Sequence, residues 1–105
     1  MAKVDLVKER RPRMTMARPL KAPDPIPAEV EFLRTEVRTG LTLSGIALRG
    51  GDKSRVDRNR VNARKAYDAL LHFIPKVPLT SEEAGEINVK LAELKSELRL
   101  LGEDL

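Results

Sequence analysis

The segment from Leu79 to Leu105 constrains the fold more than any other part of the chain, because it contains a complete set of helix signals. Thr80 is suited to act as the N-cap, and Glu83 stands three residues later, where it completes a capping box. Gly102 stands where helices commonly end in a left-handed residue. Between these signals, apolar residues recur at spacings of three and four, as on one face of a helix. These residues are Ala84, Ile87, Leu91, Leu94, Leu98 and Leu101. The segment therefore predicts an amphipathic helix.

A second helix is predicted to begin just after Pro27, since proline suits the start of a helix, and to run to about Leu48. Its predicted core stripe is Val30, Leu33, Val37, Leu41 and Leu48. Small residues beside this stripe predict a flat surface that another helix can approach closely. They are Gly40, Ser44 and Ala47. Gly40 and Gly45 each cost about 1 kcal/mol relative to alanine in a helix, so a bend or an early end is an alternative here.

A third helix, the middle one in chain order, is predicted to start near Asp52 or Ser54, after a turn containing Gly50 and Gly51, and to end before Pro75. Its predicted core face is Val56, Ala63, Tyr67, Leu70, Leu71 and Ile74. The short connection to the last helix favours an antiparallel pair. The sequence thus predicts an all-α fold, a small antiparallel three-helix bundle with a helical hairpin at 54–101 and a preceding helix at 28–48.

The first 27 residues differ from the rest in charge and in proline content. They contain seven Lys/Arg and three Asp/Glu, a net charge of +4, whereas residues 28–105 hold 13 of each sign. Five of the seven prolines also lie here, and prolines this frequent do not permit a regular helix or a central strand. We therefore predict a flexible basic arm over residues 1–27 and a helical domain over residues 28–105.

Each predicted helix carries a second apolar patch, and a two-helix hairpin cannot bury both sides. Either the three helices pack against one another, which we favour, or the second patches contact a protein partner or another copy of the chain. The leading functional prediction is a protein-interaction or assembly module. The predicted interface residues are Phe32, Leu43, Ile46, Val89, Ala92 and Leu100.

Basic residues crowd the start of the middle helix, where cations oppose the helix dipole. They are Arg49, Lys53, Arg55, Arg58, Arg60, Arg64 and Lys65, with only Asp52 and Asp57 among them. We favour neutralisation by the acidic last helix. The alternative is sequence-independent binding to a nucleic-acid backbone, with help from the arm. The predicted phosphate contacts of that alternative are Arg10, Arg11, Arg13, Lys53, Arg55 and Arg58.

Signals for catalysis are weak. The chain has no cysteine and one histidine, His72, without a nucleophile or carboxylate at a telling spacing. Lys53 and Ser54 follow glycines, but the spacing does not match a phosphate-binding loop. Tyr67 is predicted to be a core residue, and Arg60 to pack its stem while its head reaches solvent or a carboxylate of the last helix. We predict no enzyme, no cofactor and no metal, no contact with a membrane, and a cytoplasmic location.

Part of the sequence resembles a tetratricopeptide repeat. Ala63, Tyr67, Leu70 and Pro75 are spaced as in the second helix of that repeat. Leu41, Gly45 and Leu48 are similar to its first helix. The connection between the two helices is longer than in the repeat, and Leu70 stands where a small residue is usual. The resemblance implies a peptide-binding or scaffolding role.

Overall fold

The computed structural model describes residues 26–105, which form three α-helices and no strand. We number them α1 (Ala28–Leu48), α2 (Lys53–Phe73) and α3 (Ser81–Leu100), with a 3₁₀ turn at Ile74–Lys76 between α2 and α3. The predicted all-α bundle is confirmed, and the predicted helix bounds agree with the structure to within one or two residues. The predicted arm lies outside the described residues except for Ile26 and Pro27.

The helix ends form for the reasons that the sequence gives. The Thr80 hydroxyl accepts from the Glu83 amide at 3.1 Å, and the Glu83 carboxylate accepts from the Thr80 amide at 3.0 Å, which confirms the capping box. Asp52 caps α2 by accepting from the Arg55 amide at 3.1 Å. Both capping arrangements satisfy amides that no earlier turn of helix can satisfy.

Gly102 ends α3 in the predicted left-handed conformation, with φ of 96°. Its amide donates to the Arg99 carbonyl at 3.0 Å, and the Glu103 amide donates to the Leu98 carbonyl at 2.9 Å. This pair of bonds is the Schellman arrangement, which turns the chain back over the last turn of the helix. Consequently Glu103 is directed towards α2, as described below.

Helix α1 lies at the centre of the bundle, because it contacts both α2 and α3 more extensively than those two contact each other. Phe32 near the start of α1 meets Phe73 at the end of α2, so these helices are antiparallel. Arg34 and Ser44 of α1 meet Glu86 and Glu97 of α3 in the same order along both helices, so α1 and α3 are parallel. The bundle therefore runs up, down and up.

The core is built from large aliphatic side chains of all three helices, with Tyr67 among them as predicted. The buried residues of this cluster are Leu33, Val37, Ala63, Tyr67, Leu70, Ile87, Leu94 and Leu98. One polar residue, Ser44, is also fully buried. Its hydroxyl lies 3.2 Å from the Leu41 carbonyl and donates to the Glu97 carboxylate, so this buried polar group has a partner.

Small residues set the closest approach in the bundle. Gly40 is buried, and a Cβ at this position would meet Leu94 of α3 at 2.7 Å and the Cβ of Ala66 of α2 at 3.3 Å. The prediction of a flat surface at Gly40, Ser44 and Ala47 is confirmed, since all three are buried. Helix α1 continues through Gly40 and Gly45 to Leu48, so the early end considered above does not occur.

Two predicted core residues are on the surface. Leu48 and Leu71 are both exposed, whereas Ala66, which was not among the predicted core residues, is buried. The reason is the close approach of α2 to α1 at Gly40. Because of this approach, the buried face of α2 includes Ala66, and the buried face of α1 includes Ser44 and Ala47. Leu71 and Leu48 are thereby left at the outer edges of their helices. None of α1, α2 and α3 has the length and apolar content needed to cross a bilayer.

Candidate interaction surface

An apolar groove lies at the end of the bundle where α1 begins and α2 ends. Its lining residues are Ala28, Glu29, Phe32, Phe73 and Val77, and its volume is about 410 Å³. The antiparallel packing of α1 and α2 brings Phe32 and Phe73 together, with ring centroids 5.5 Å apart and planes at 89°. This is the edge-to-face geometry that aromatic rings favour.

The other residues of 26–105 cover the two rings only in part. Phe32 is 42% exposed and Phe73 is 38% exposed, although each could bury far more apolar area if another chain covered it. The ring of His72 packs edge-on against Phe73 with centroids 4.7 Å apart, which gives this histidine a structural contact. Glu29 is the one charged residue among those that line the groove. The groove is therefore apolar with an acidic rim.

The predicted interface residues do not form one surface. Phe32 lines the groove, whereas Leu43 packs against the core and Ile46 is half-buried. Val89, Ala92 and Leu100 lie together on the outer face of α3, where Val89 is 70% exposed and Leu100 is 77% exposed. Since none of the α3 residues lines the groove, the structure presents two separate apolar areas.

Prediction from sequence overlooked half of the groove. Phe73 was not among the predicted interface residues, and Val77 follows the 3₁₀ turn, where helical periodicity no longer applies. Aromatic residues are enriched in the cores of protein interfaces, and the chain has only two phenylalanines. The aromatic side chain of Phe73 was therefore the sequence feature that could have indicated an interface position.

Part of the basic cluster on α2 is neutralised within the domain. Arg64 donates to one Glu103 carboxylate oxygen at 2.8 Å, and Arg60 donates to the other. The hydrogen bond from Arg64, together with that from Arg60, lowers the pKa of the Glu103 carboxyl group below its ordinary value. The neutralising carboxylate thus comes from just beyond the C-terminal end of α3, which agrees with the predicted role of Arg60. We call this contact the Glu103 clasp.

Other charged side chains are also paired within the domain. Lys53, a predicted phosphate contact, donates to Asp57 at 2.8 Å. Glu86 lies one turn from Lys90 on α3 but accepts from Arg34 of α1 at 3.0 Å. The carboxylate of Glu83 is occupied in the capping box.

An exposed basic stripe remains on α2. Arg55, Arg58 and Lys65 are exposed on one face of the helix with Asn62, and within residues 26–105 none of the three cations has a carboxylate within 4 Å. Of the predicted phosphate contacts, Arg55 and Arg58 therefore belong to a surface with net positive charge. Arg10, Arg11 and Arg13 lie outside the described residues.

Comparison of the chain with protein-family models, with curated proteins and with solved structures finds no significant match.

Proposed function

We propose that this chain is a helical protein-interaction module without catalytic activity, and that the groove at Phe32 and Phe73 receives a segment of a partner protein. The exposure of this aromatic pair is the observation that carries the proposal. Aromatic side chains in a concave apolar surface are typical anchors of protein interfaces, because covering them removes a large apolar area from water.

The charge at the rim specifies the chemistry of the partner. Glu29 lines an otherwise uncharged groove, and Glu31 follows it in the first turn of α1. A partner segment with a large apolar side chain next to a lysine or arginine complements both features, since the apolar group fills the groove while the cation lies beside Glu29. We expect the interaction to take place in the cytoplasm, a reducing compartment that suits a chain without cysteine.

Selection from a displayed random-peptide library against the full chain tests this proposal. We expect enrichment of peptides in which an apolar anchor stands beside lysine or arginine. Phe73→Ser should remove binding of the selected peptides, whereas Leu71→Ser, at an exposed apolar position on the same helix but outside the groove, should leave it unchanged. Equal binding to the wild type and to Phe73→Ser would refute the groove as the binding surface.

A second copy of the chain is another partner that light scattering would identify. If the molar mass rises with protein concentration and Phe73→Ser abolishes the rise, the groove mediates self-association. If the rise depends instead on Val89 and Leu100, the outer face of α3 mediates self-association, and the partner of the groove is a different chain.

A second candidate function is sequence-independent binding to nucleic acid, and the exposed stripe of Arg55, Arg58 and Lys65 is the observation in its favour. Phosphate contacts release counterions, so the affinity should fall steeply as salt rises. Anisotropy of labelled DNA and RNA is measured with the full chain, with a triple glutamine variant of this stripe, and with a matched triple variant at Arg10, Arg11 and Arg13. Unchanged affinity in both variants, or no binding near physiological salt, would exclude this function.

A further inference from the structure

A second concave surface lies between α1 and α3, on a different pair of helices from the Phe32 and Phe73 groove. Its volume is about 350 Å³. Val37 and Leu41 provide apolar area, Thr42 provides a hydroxyl group, and the charged lining residues are Arg34, Arg38, Glu86 and Lys90. A few polar groups around an apolar surface of this size are typical of small-ligand sites. We call this concave surface the α1–α3 cleft.

The two ends of the cleft differ in charge. At one end Arg34 donates to Glu86 at 3.0 Å and lies 3.9 Å from Glu31, so its charge is balanced. The hydrogen bond from Arg34 to Glu86 raises the pKa of Arg34, and Glu83 contributes in the same direction. At the other end, Arg38 and Lys90 have no carboxylate within 4 Å among residues 26–105. That end therefore has two positive charges, one from each helix.

Arg34 also has a donor without an acceptor. Its Nε is buried, and nothing among the described residues accepts a hydrogen bond from it. A buried donor of this kind lowers the stability of the fold when it stays unsatisfied. The pairing with Glu86 fixes the guanidinium group of Arg34 in place at this end of the cleft.

We propose that the α1–α3 cleft binds a phosphate monoester attached to a small apolar body. The dianion matches the two positive charges of Arg38 and Lys90, and guanidinium groups suit phosphate oxygens because their donors form a planar fork. The apolar body packs on Val37 and Leu41. Such a phosphate ester is available as a free small molecule or as a phosphorylated side chain of a protein, and the two sources present the same chemistry to this cleft.

A titration followed by amide chemical shifts of the full chain tests the proposal, with phenyl phosphate as the probe and ionic strength held constant. We expect saturable shifts at residues 37–42 and around Lys90. Arg38→Gln and Lys90→Gln should each weaken binding about three- to tenfold. Both side chains are on the surface, so the variants should keep the fold. Lys76→Gln, which neutralises an exposed cation in the 3₁₀ turn outside the cleft, is the matched control and should leave the affinity unchanged.

Further probes separate the parts of the proposal. Inorganic phosphate should bind more weakly than phenyl phosphate because it lacks the apolar body, and benzoate should bind more weakly because it carries a single charge. A phosphotyrosine peptide that binds as well as phenyl phosphate would identify a protein side chain as the source, and a peptide that does not bind would identify a free small molecule. The proposal is overturned if no shift saturates, if inorganic phosphate or benzoate binds as well as phenyl phosphate, or if Lys76→Gln weakens binding as much as the cleft variants do. None of these outcomes depends on the groove at Phe73.

Discussion

Gly40 of α1 lies so close to Leu94 of α3 that a Cβ at position 40 would come within 2.7 Å of the Leu94 Cδ2 atom. Ala66 of α2 is the next neighbour, at 3.3 Å from the same point. All three helices therefore meet at one glycine. Because Leu94 is fully buried, its side chain has little room to move away from an added methyl group.

Gly40→Ala should lower the free energy of unfolding by about 1–2 kcal/mol, since overpacking outweighs the gain of about 1 kcal/mol in helix propensity. Gly45→Ala is the control within the same helix, because a Cβ there meets no atom within 4 Å. We expect Gly45→Ala to raise stability by up to about 1 kcal/mol. Urea denaturation measures both, and an increase in stability with Gly40→Ala would contradict the close approach.

The same contact predicts a coupling between the two residues. Leu94→Val removes the δ-carbons that an alanine at position 40 would meet. In that background Gly40→Ala should cost at least about 1 kcal/mol less than it does in the wild type. A double-mutant cycle by urea denaturation measures this difference, and additive effects of the two substitutions would show that Leu94 is not the obstacle.

The Glu103 clasp predicts how stability depends on pH. The pKa of Glu103 is lowered by Arg64 and Arg60, so the folded state holds the carboxylate in its charged form more firmly than the unfolded state does. This contribution is complete above the ordinary pKa of 4.5 and is lost as the pH falls through the lower pKa of the folded state.

Glu103→Gln should therefore cost about 1 kcal/mol at neutral pH and progressively less in acid. Thermal unfolding of the two proteins between neutral and acidic pH checks this expectation. A constant difference in melting temperature over the whole range would mean that Glu103 contributes by packing and not by charge. Asp104→Asn, which changes an exposed neighbour, is the control.

The capping box at the start of α3 gives a prediction about a single hydroxyl group. Thr80→Ala removes the acceptor of the Glu83 amide and should destabilise the protein by about 1 kcal/mol. Thr80→Ser keeps the hydroxyl and should stay close to the wild type. Chemical denaturation of the two variants distinguishes loss of the cap from loss of the methyl group, and equal losses would contradict the capping role.

The helix bounds were predictable because their causes are local. Thr80 with Glu83, Asp52, and Gly102 each act within a few residues of their own position, and the structure uses all of them. The choice of buried face was less predictable. Whether Leu71 or Ala66 faces the core depends on how closely α2 approaches Gly40. That distance is set by the packing of three helices and not by the spacing of apolar residues within one helix.

In the candidate surfaces, too, the features with local causes were predictable and the features that depend on helix packing were not. Phe32 was predicted as an interface residue from its place on α1, but its pairing with Phe73 depends on the antiparallel packing of α1 and α2. Neutralisation of the α2 cations within the domain was predicted from the sequence. The contribution of Glu103 was not, because it depends on the turn at Gly102 that brings Glu103 back over the bundle. The uncompensated end of the α1–α3 cleft has no signature in sequence, since Arg38 and Lys90 are 52 residues apart.

The most direct test of the proposed function is a methyl NMR titration of the full chain with a peptide obtained from the library selection. We expect the methyl groups of Ala28 and Val77, which line the groove, to shift with one saturation curve, while those of Val89 and Leu100 on the outer face of α3 stay in place. Shifts confined to Val89 and Leu100, or no saturable shift at Ala28 and Val77, would contradict the groove at Phe32 and Phe73 as the surface that binds the partner.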